Sequence, residues 1–587
     1  MRNDKLYTEK RFRKGTLSLV LDTIKHVKWD LILGIALSLI ATFLTLYSPL
    51  VLQKLIDKEI SPKFGIINKR SFAITTAFYL GSILLANIFR FLKQYQLKRT
   101  SNKAGHVLRK ELYEHTINLP LSYFDQTPVG KIASRVVGDV DEIKNLFFMG
   151  FDGMFSSFCY IAGSIVYVAT QNTTAALILC IPIPILTLLI FVYNKFSAKY
   201  NIEYRKNTSK VIADLNEHLN GSEVIRAYGV MDPVNEEYAK INERSYNIGK
   251  KMELFDAFFS FNISSFLSMI SNILILALTG YSIINQKNIV TVGFALVLIN
   301  YNNQIYENIN NTLRRMNVLE KALASSHHIT ELFDVPEEID GERKIRNMVG
   351  DVEIKDLSFS YIDENYVLND IVLNAKHGTK TAIVGDTGSG KSSIINLLFR
   401  FYVPQKGEIT IDGYNLNDLK KDSFRKDMAL VLQDPFIFKD NLRNNITLGD
   451  KYSDKEIIDA LFKVGGQNLY SKMKDGLDTD IMGEGTGLSL GEKQIVTFAR
   501  TILRDPKILV LDEATASIDT ETEKYIQMGL DELMKGRTSF IIAHRLSTIK
   551  NCDQIIVMEK GRIVERGNHE ELIGNAGKYY ELATKAN

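Results

Sequence analysis

The sequence predicts a membrane domain of six long α-helices that continue into the cytoplasm, fused to an α/β domain built around a phosphate-binding P-loop. Three observations predict it. Six apolar segments fill the first half, each near the ~20 residues a helix needs to cross a bilayer. The second half has no such run and alternates β-branched strands with helical stretches. Within it, Gly385, Asp386, Thr387, Gly388, Ser389, Gly390, Lys391 and Ser392 fit the spacing G-x-x-x-x-G-K-[ST] between a strand and a helix start. At 587 residues the chain exceeds what one core organises. The expected division is 1–325 for the membrane domain, 326–350 for a charged linker and 351–587 for the nucleotide-binding domain.

The expected spans are 29–52, 72–92, 147–170, 175–193, 255–284 and 292–309. A soluble helical core shows runs of this length once, not six times. Lys and Arg set the topology. Eight precede the first span, nine lie between spans two and three, and ten between spans four and five. The turns after spans three and five hold none and one, which puts the N-terminus and the long loops in the cytoplasm. The basic loop after span one (Lys54, Lys58, Lys63, Lys69, Arg70) points the other way and is outvoted. The two long cytoplasmic loops have helical periodicity and few breakers. They read as spans continuing below the membrane, with tips at 124–130 and 219–221 that carry turn residues. Basic residues near the N-terminus lack a small-residue cleavage pattern, so they are not read as a signal peptide.

Composition narrows the rest. The formal net charge is +3, and nothing in it points to nucleic acid. Cys159, Cys180 and Cys552 fit neither metal spacing nor a disulfide framework. Asn300, Tyr301, Asn302, Asn303, Gln304 and Tyr306 crowd the sixth span. Polar residues are costly against lipid, so they are expected to face the bundle interior, as a substrate pathway or as interhelical hydrogen bonds. Tyr160 and Tyr167 are candidates to join them. No carboxylate or cation stands out in mid-span.

The P-loop chemistry follows from residue type. Glycines let successive backbone N–H groups face a phosphate, and the helix N-terminus adds positive potential. Lys391 reaches the β- and γ-phosphates, and Ser392 offers a hydroxyl to Mg²⁺. Ile508–Asp512 reads as a buried strand ending in two carboxylates, Asp512 and then Glu513. Asp512 is expected to hold Mg²⁺ through water and Glu513 to polarise the attacking water. His544, after the apolar stretch 539–543, is expected to contact the γ-phosphate. Gln433, after 429–432, is expected to sense Mg²⁺ and the water.

These residues in this order resemble the ATP-binding cassette exporters, in the half-transporter form with six spans and one nucleotide-binding domain. The resemblance covers nearly the whole chain. It rests on Walker A at 385–392, the Q-loop at Gln433, a signature at 488–492, Walker B at 508–512 with Glu513, a D-loop at 516–519 and the switch His544. It implies ATP and Mg²⁺ as cofactors, with Tyr361 stacking on adenine and Ser393 beside the phosphates. Ser489 and Gly491 would face the ATP of a second subunit. Segment 124–135 resembles the first coupling region, and 485–487 resembles the segment that meets the coupling helices. ATP-driven export of hydrophobic or amphipathic compounds by alternating access is the implied activity, with lipid or lipid-linked substrates as the alternative. Peptide export and a regulatory membrane ATPase stand behind these. The half-transporter form and absence of a targeting segment suggest a bacterial cytoplasmic membrane.

One motif departs from the family. Its pattern is Leu-Ser-Gly-Gly-Gln, and this chain has Leu490 at the third place and Glu492 at the fifth. A leucine adds an isobutyl group where glycine allows close approach, and a glutamate adds negative charge toward a triphosphate. The Walker residues, Glu513 and His544 are intact. This imbalance suggests a heterodimer with one degenerate ATP site and a partner carrying a normal signature. A homodimer tolerating the variant is the other reading.

Overall fold

The computed structural model of the protein describes residues 16–60, 69–257, 263–284, 291–338, 340–362, 365–481, 487–512, 520–542 and 546–585. They form two compact units. One comprises Arg11–Ile117 with Val129–Val335, and the other Asn118–Pro128 with Pro336–Asn587.

Long helices build the first unit. Lys69–Ile117 has 49 residues, about 74 Å at ~1.5 Å per residue, against a hydrocarbon core of ~30 Å. Its sequence changes face along that length. Leu80, Leu84, Ile88 and Phe91 form one exposed apolar stripe, whereas Leu97, Ala104, Leu108 and Leu112 are buried further on. The first pattern suits lipid, the second a packed helical extension in water. Thr16–Lys54, Pro182–Asn220 and Met231–Asp256 are similarly extended, and Gly221 stops the second of these where the turn is expected.

Among the described residues, five helical stretches are long and apolar enough to cross a membrane. The sixth expected span forms a 43-residue helix, Val292–Asp334, but its Asn and Gln residues keep it below that measure. Its apolar face is nonetheless central: Val297, Leu298, Tyr301 and Ile305 are buried with Tyr160, Val168 and Ile275 in the core of this unit. This helix runs through the start of the expected linker, so the irregular connection spans 335–351.

In the second unit, two sheets share a core. A four-stranded antiparallel sheet has the order β2-β1-β4-β5, with β1 Val352–Phe359, β2 Leu368–Ala375, β4 Lys406–Ile411 and β5 Tyr414–Asn415. A six-stranded sheet has the order β10-β9-β3-β8-β7-β6. Its strands are β3 Lys380–Gly385, β6 Met428–Val431, β7 Ile508–Asp512, β8 Thr538–Ile542, β9 Gln554–Glu559 and β10 Arg562–Gly567. β3, β6, β7, β8 and β9 run parallel, and β10 returns antiparallel. Strands buried on both faces read as continuous apolar runs, as 508–511 and 540–542 do. One face packs on the antiparallel sheet through Ile354, Phe359, Ile383 and Phe540. The other packs on helices through Leu461, Phe498 and Leu530.

The segment Asn118–Pro128 belongs to this second unit although flanking membrane helices bracket it in sequence. Pro120 and Pro128 delimit a short helix, Leu121–Gln126. Glu338 N–H donates to Asn118 O at 2.9 Å, and the Tyr402 hydroxyl donates to the Asp125 carboxylate.

Candidate functional site

β3 lies between β8 and β9, and its carboxyl end opens into the P-loop. Open α/β sheets bind ligands at this edge. Register brings the neighbouring strand ends level. Ile383 pairs with Ile542, and Ile542 with Asp512. Two strand spacings of ~4.8 Å therefore place the Asp512 backbone about 10 Å from β3. Asp512 is half-buried.

The loop geometry needs its glycines. Gly390 has φ +101°, and a Cβ there would lie 2.6 Å from Leu368 Cδ2 and 3.2 Å from Val367 O. A Cβ on Gly385 would lie 2.3 Å from Met558 O. The turn ends in the helix Lys391–Leu398, whose first N–H groups lack intrahelical partners. Lys391 Nζ donates to Gly385 O at 2.8 Å and Asp386 O at 3.0 Å, which holds the ammonium over the loop. Asp386, Thr387, Gly388 and Ser392 are exposed. Ser389 is buried, and its hydroxyl has no hydrogen-bond partner among the described residues. An orphaned hydroxyl beside the backbone N–H groups of a helix start and an ammonium is a donor set suited to phosphate. The open Ser392 hydroxyl and the Asp512 carboxylate are the oxygen ligands a hard divalent cation takes.

Tyr361 stands beside this loop and is 42% exposed. Its hydroxyl donates to Ser393 Oγ at 3.1 Å and accepts from Asn396 Nδ2 at 3.2 Å. Phe359 and Tyr402 meet the ring edge-on, with centroids 4.8 and 5.0 Å away. One face is thereby left for a flat ligand. Tyr402 also holds Asp125, a link sequence reading missed because the partners lie 277 residues apart. Gln433 is exposed two residues beyond β6, three strands from β3 in the sheet. The expected residues Glu513 and His544, the D-loop 516–519 and positions 485–486 lie outside the described residues.

The signature forms the start of the helix Leu490–Arg504. Ser489 is its N-cap: Glu492 N–H donates to Ser489 Oγ at 3.3 Å, and Ser489 N–H donates to Glu492 Oε2 at 2.9 Å. This is a capping box. The other Glu492 oxygen lies 2.7 Å from Lys472 Nζ. Burial pushes the Glu492 carboxyl up, but Lys472 and the Ser489 N–H outweigh it and hold the group below the usual carboxylate range. The carboxylate is thus turned back on its own helix and partly neutralised, which softens the repulsion expected from sequence. Gly491 is buried, whereas the Leu490 side chain at the first helical position is 36% exposed.

The description "ABC transporter transmembrane region" matches residues 31–309, and "ABC transporter" matches residues 368–516. The chain is 35% identical, over 86% of its length and 75% of the relative's, to "Probable multidrug resistance ABC transporter ATP-binding/permease protein YheH" of Bacillus subtilis. It is 31% identical, over 98% of both chains, to "ATP-dependent lipid A-core flippase" of Haemophilus influenzae. The fold is similar to the solved structure of a bacterial Atm1-family ABC exporter with ATP bound (TM-score 0.77, 23% identity, covering 95% of this chain and 99% of that one). The chain belongs to the ABC exporters, multi-pass membrane proteins whose ATP-binding domain hydrolyses ATP to drive transport.

Proposed function

We propose that this chain is one half of a heterodimeric, multidrug-type exporter in which its own Walker residues form the ATP site that turns over. ABC exporters act as dimers, and each ATP lies between one subunit's Walker motifs and the other's signature. Leu490 carries the proposal, because its isobutyl group stands at the helix start where the opposing phosphate approaches. The capped, partly neutralised Glu492 keeps Ser489 in place, so the site built on this signature holds ATP but hydrolyses it slowly. The partner supplies a normal signature to this chain's P-loop.

At the competent site, Lys391, Ser389 and the 385–392 backbone bind the phosphates. Tyr361 orients the base, with Ser393 fixing its hydroxyl. Ser392 and Asp512, with Gln433 reached through water, are the residues that would hold Mg²⁺, which when bound neutralises charge on the phosphate oxygens. Glu513 polarises the attacking water and His544 contacts the γ-phosphate. In the domain scheme 1–325, 326–350 and 351–587, the first part carries a small hydrophobic or amphipathic substrate across the lipid bilayer.

ATPase measurements on the chain alone and with its partner test the proposal. Slow hydrolysis alone and fast hydrolysis with the partner are expected. Fast turnover by the purified chain alone at two equivalent sites overturns the heterodimer.

A further inference from the structure

The last two membrane helices, Ile263–Ile284 and Val292–Asp334, are joined by a ladder of short polar side chains. Asn272 Nδ2 donates to Asn303 Oδ1 at 2.8 Å, Asn302 Nδ2 donates to Asn272 Oδ1 at 2.9 Å, and the Ser271 and Tyr306 hydroxyls lie 3.0 Å apart. These bonds satisfy much of the polar content that makes the sixth helix unusual. At the cytoplasmic end of the ladder the seam opens into a cavity of about 540 Å³. Its lining includes Ser264, Met269, Asn303, Tyr306, Glu307 and Asn310.

Two of these groups are only partly accounted for among the described residues. Ser264 is 2% exposed, yet its hydroxyl has no hydrogen-bond partner among the described residues. Among the described residues, Glu307 is the one charged side chain in the lining. Among the described residues, only Gln304 hydrogen-bonds to it, with Nε2 donating at 3.0 Å. Glu307 lies 15 residues after Val292, about 22 Å along the helix and so within the ~30 Å hydrocarbon layer on its cytoplasmic side. A carboxylate at that depth is costly without a positive partner, and the described lining residues supply none.

We infer that this cavity is the entry site for amphiphiles with a cationic head, and that Glu307 selects them by charge. The ammonium sits against the Glu307 carboxylate. The carbonyl oxygen of Asn310 and the Ser264 hydroxyl accept from its N–H groups, and the apolar body lies on Met269 and the Tyr306 ring. An anionic amphiphile would meet the carboxylate head-on and is excluded. This rests on the multidrug reading above and narrows its substrate class.

The test is equilibrium binding to the full-length chain in zwitterionic lipid nanodiscs without ATP, with rhodamine 6G as the cationic probe and a fluorescent fatty acid as the anionic one. Wild type should bind rhodamine 6G and leave the fatty acid unbound. Glu307→Gln should weaken rhodamine 6G binding at least tenfold, with unchanged ATP affinity as the check on folding. Glu307→Asp should recover most of it. Asn310→Leu, which narrows the cavity and keeps the carboxylate, should weaken it as well. Unchanged rhodamine 6G affinity in Glu307→Gln and Asn310→Leu, or tight fatty-acid binding by wild type, overturns the site. Because binding is read without hydrolysis, export that fails despite charge-selective binding counts against the transport reading and not against this site.

Discussion

Lys472 Nζ lies 2.7 Å from Glu492 Oε1, while the other oxygen of Glu492 accepts the N–H of Ser489. A carboxylate that reads from sequence as repulsion toward ATP is therefore engaged on its own subunit. Lys472 is 66% exposed at its side chain, so the pair adds only about 0–1 kcal/mol to stability. Its weight falls on charge at the signature. Lys472→Met frees the carboxylate's charge, and ATP retention by the signature-side site should drop several-fold while the Walker side is unaffected. Site-resolved nucleotide trapping measures this, and equal retention in both proteins would show that Lys472 is a bystander.

The same carboxylate predicts a pH dependence. Its folded pKa is depressed, so its contribution to stability is complete above the ordinary carboxylate value of ~4.3 and disappears as pH falls through the folded value. Between about pH 5 and about pH 3 the wild-type chain should lose more apparent Tm than Glu492→Gln does. Ser489→Ala removes the cap itself and should cost about 1 kcal/mol at any pH in that range.

Gly390 tests the phosphate loop. At φ +101° and with Leu368 Cδ2 2.6 Å from the position of a Cβ, Gly390→Ala imposes strain of about 1–3 kcal/mol. The loop must shift to relieve it, which misdirects the N–H groups. ATP affinity should fall at least tenfold in a titration, with the membrane helices unaltered by circular dichroism.

Tyr402 connects the Tyr361 ring to the short helix Leu121–Gln126. Its ring meets Tyr361 edge-on and its hydroxyl holds Asp125. Tyr402→Phe keeps the ring and removes the bond. Basal ATPase activity should stay near wild type, while stimulation by transported substrate falls by half or more. Full stimulation in the variant would remove Asp125 from the coupling path.

How much of this was legible in the sequence follows the range of each interaction. The P-loop could be read because its constraints are local: two close approaches, a lysine and a hydroxyl within eight positions. The long helices could be read because a span and its aqueous extension share one period with different exposed residues, as at Leu84 and Leu108. Glu307 was passed over because a carboxylate near the end of a polar span reads as its boundary. Only pairing with the Ser264 helix shows that it faces a cavity. Lys472 and Glu492, and Tyr402 and Asp125, are paired by tertiary structure without a spacing rule to announce them.

Glu513 offers the sharpest separation of the two dimer readings. It follows Asp512, whose strand end is level with the P-loop strand, and it is the residue proposed to polarise the attacking water. Glu513→Gln keeps the shape and removes the base, and a positioned general base is worth about 10²–10⁴-fold in rate. ATP should still bind, and substrate transport should stop. In a heterodimer with one working site, this substitution alone should abolish nearly all hydrolysis. The matching substitution in the partner, at the site built on Leu490 and Glu492, should leave most of it. Steady-state ATPase assays of the two single variants read the difference directly, and equal losses would assign equal work to both sites.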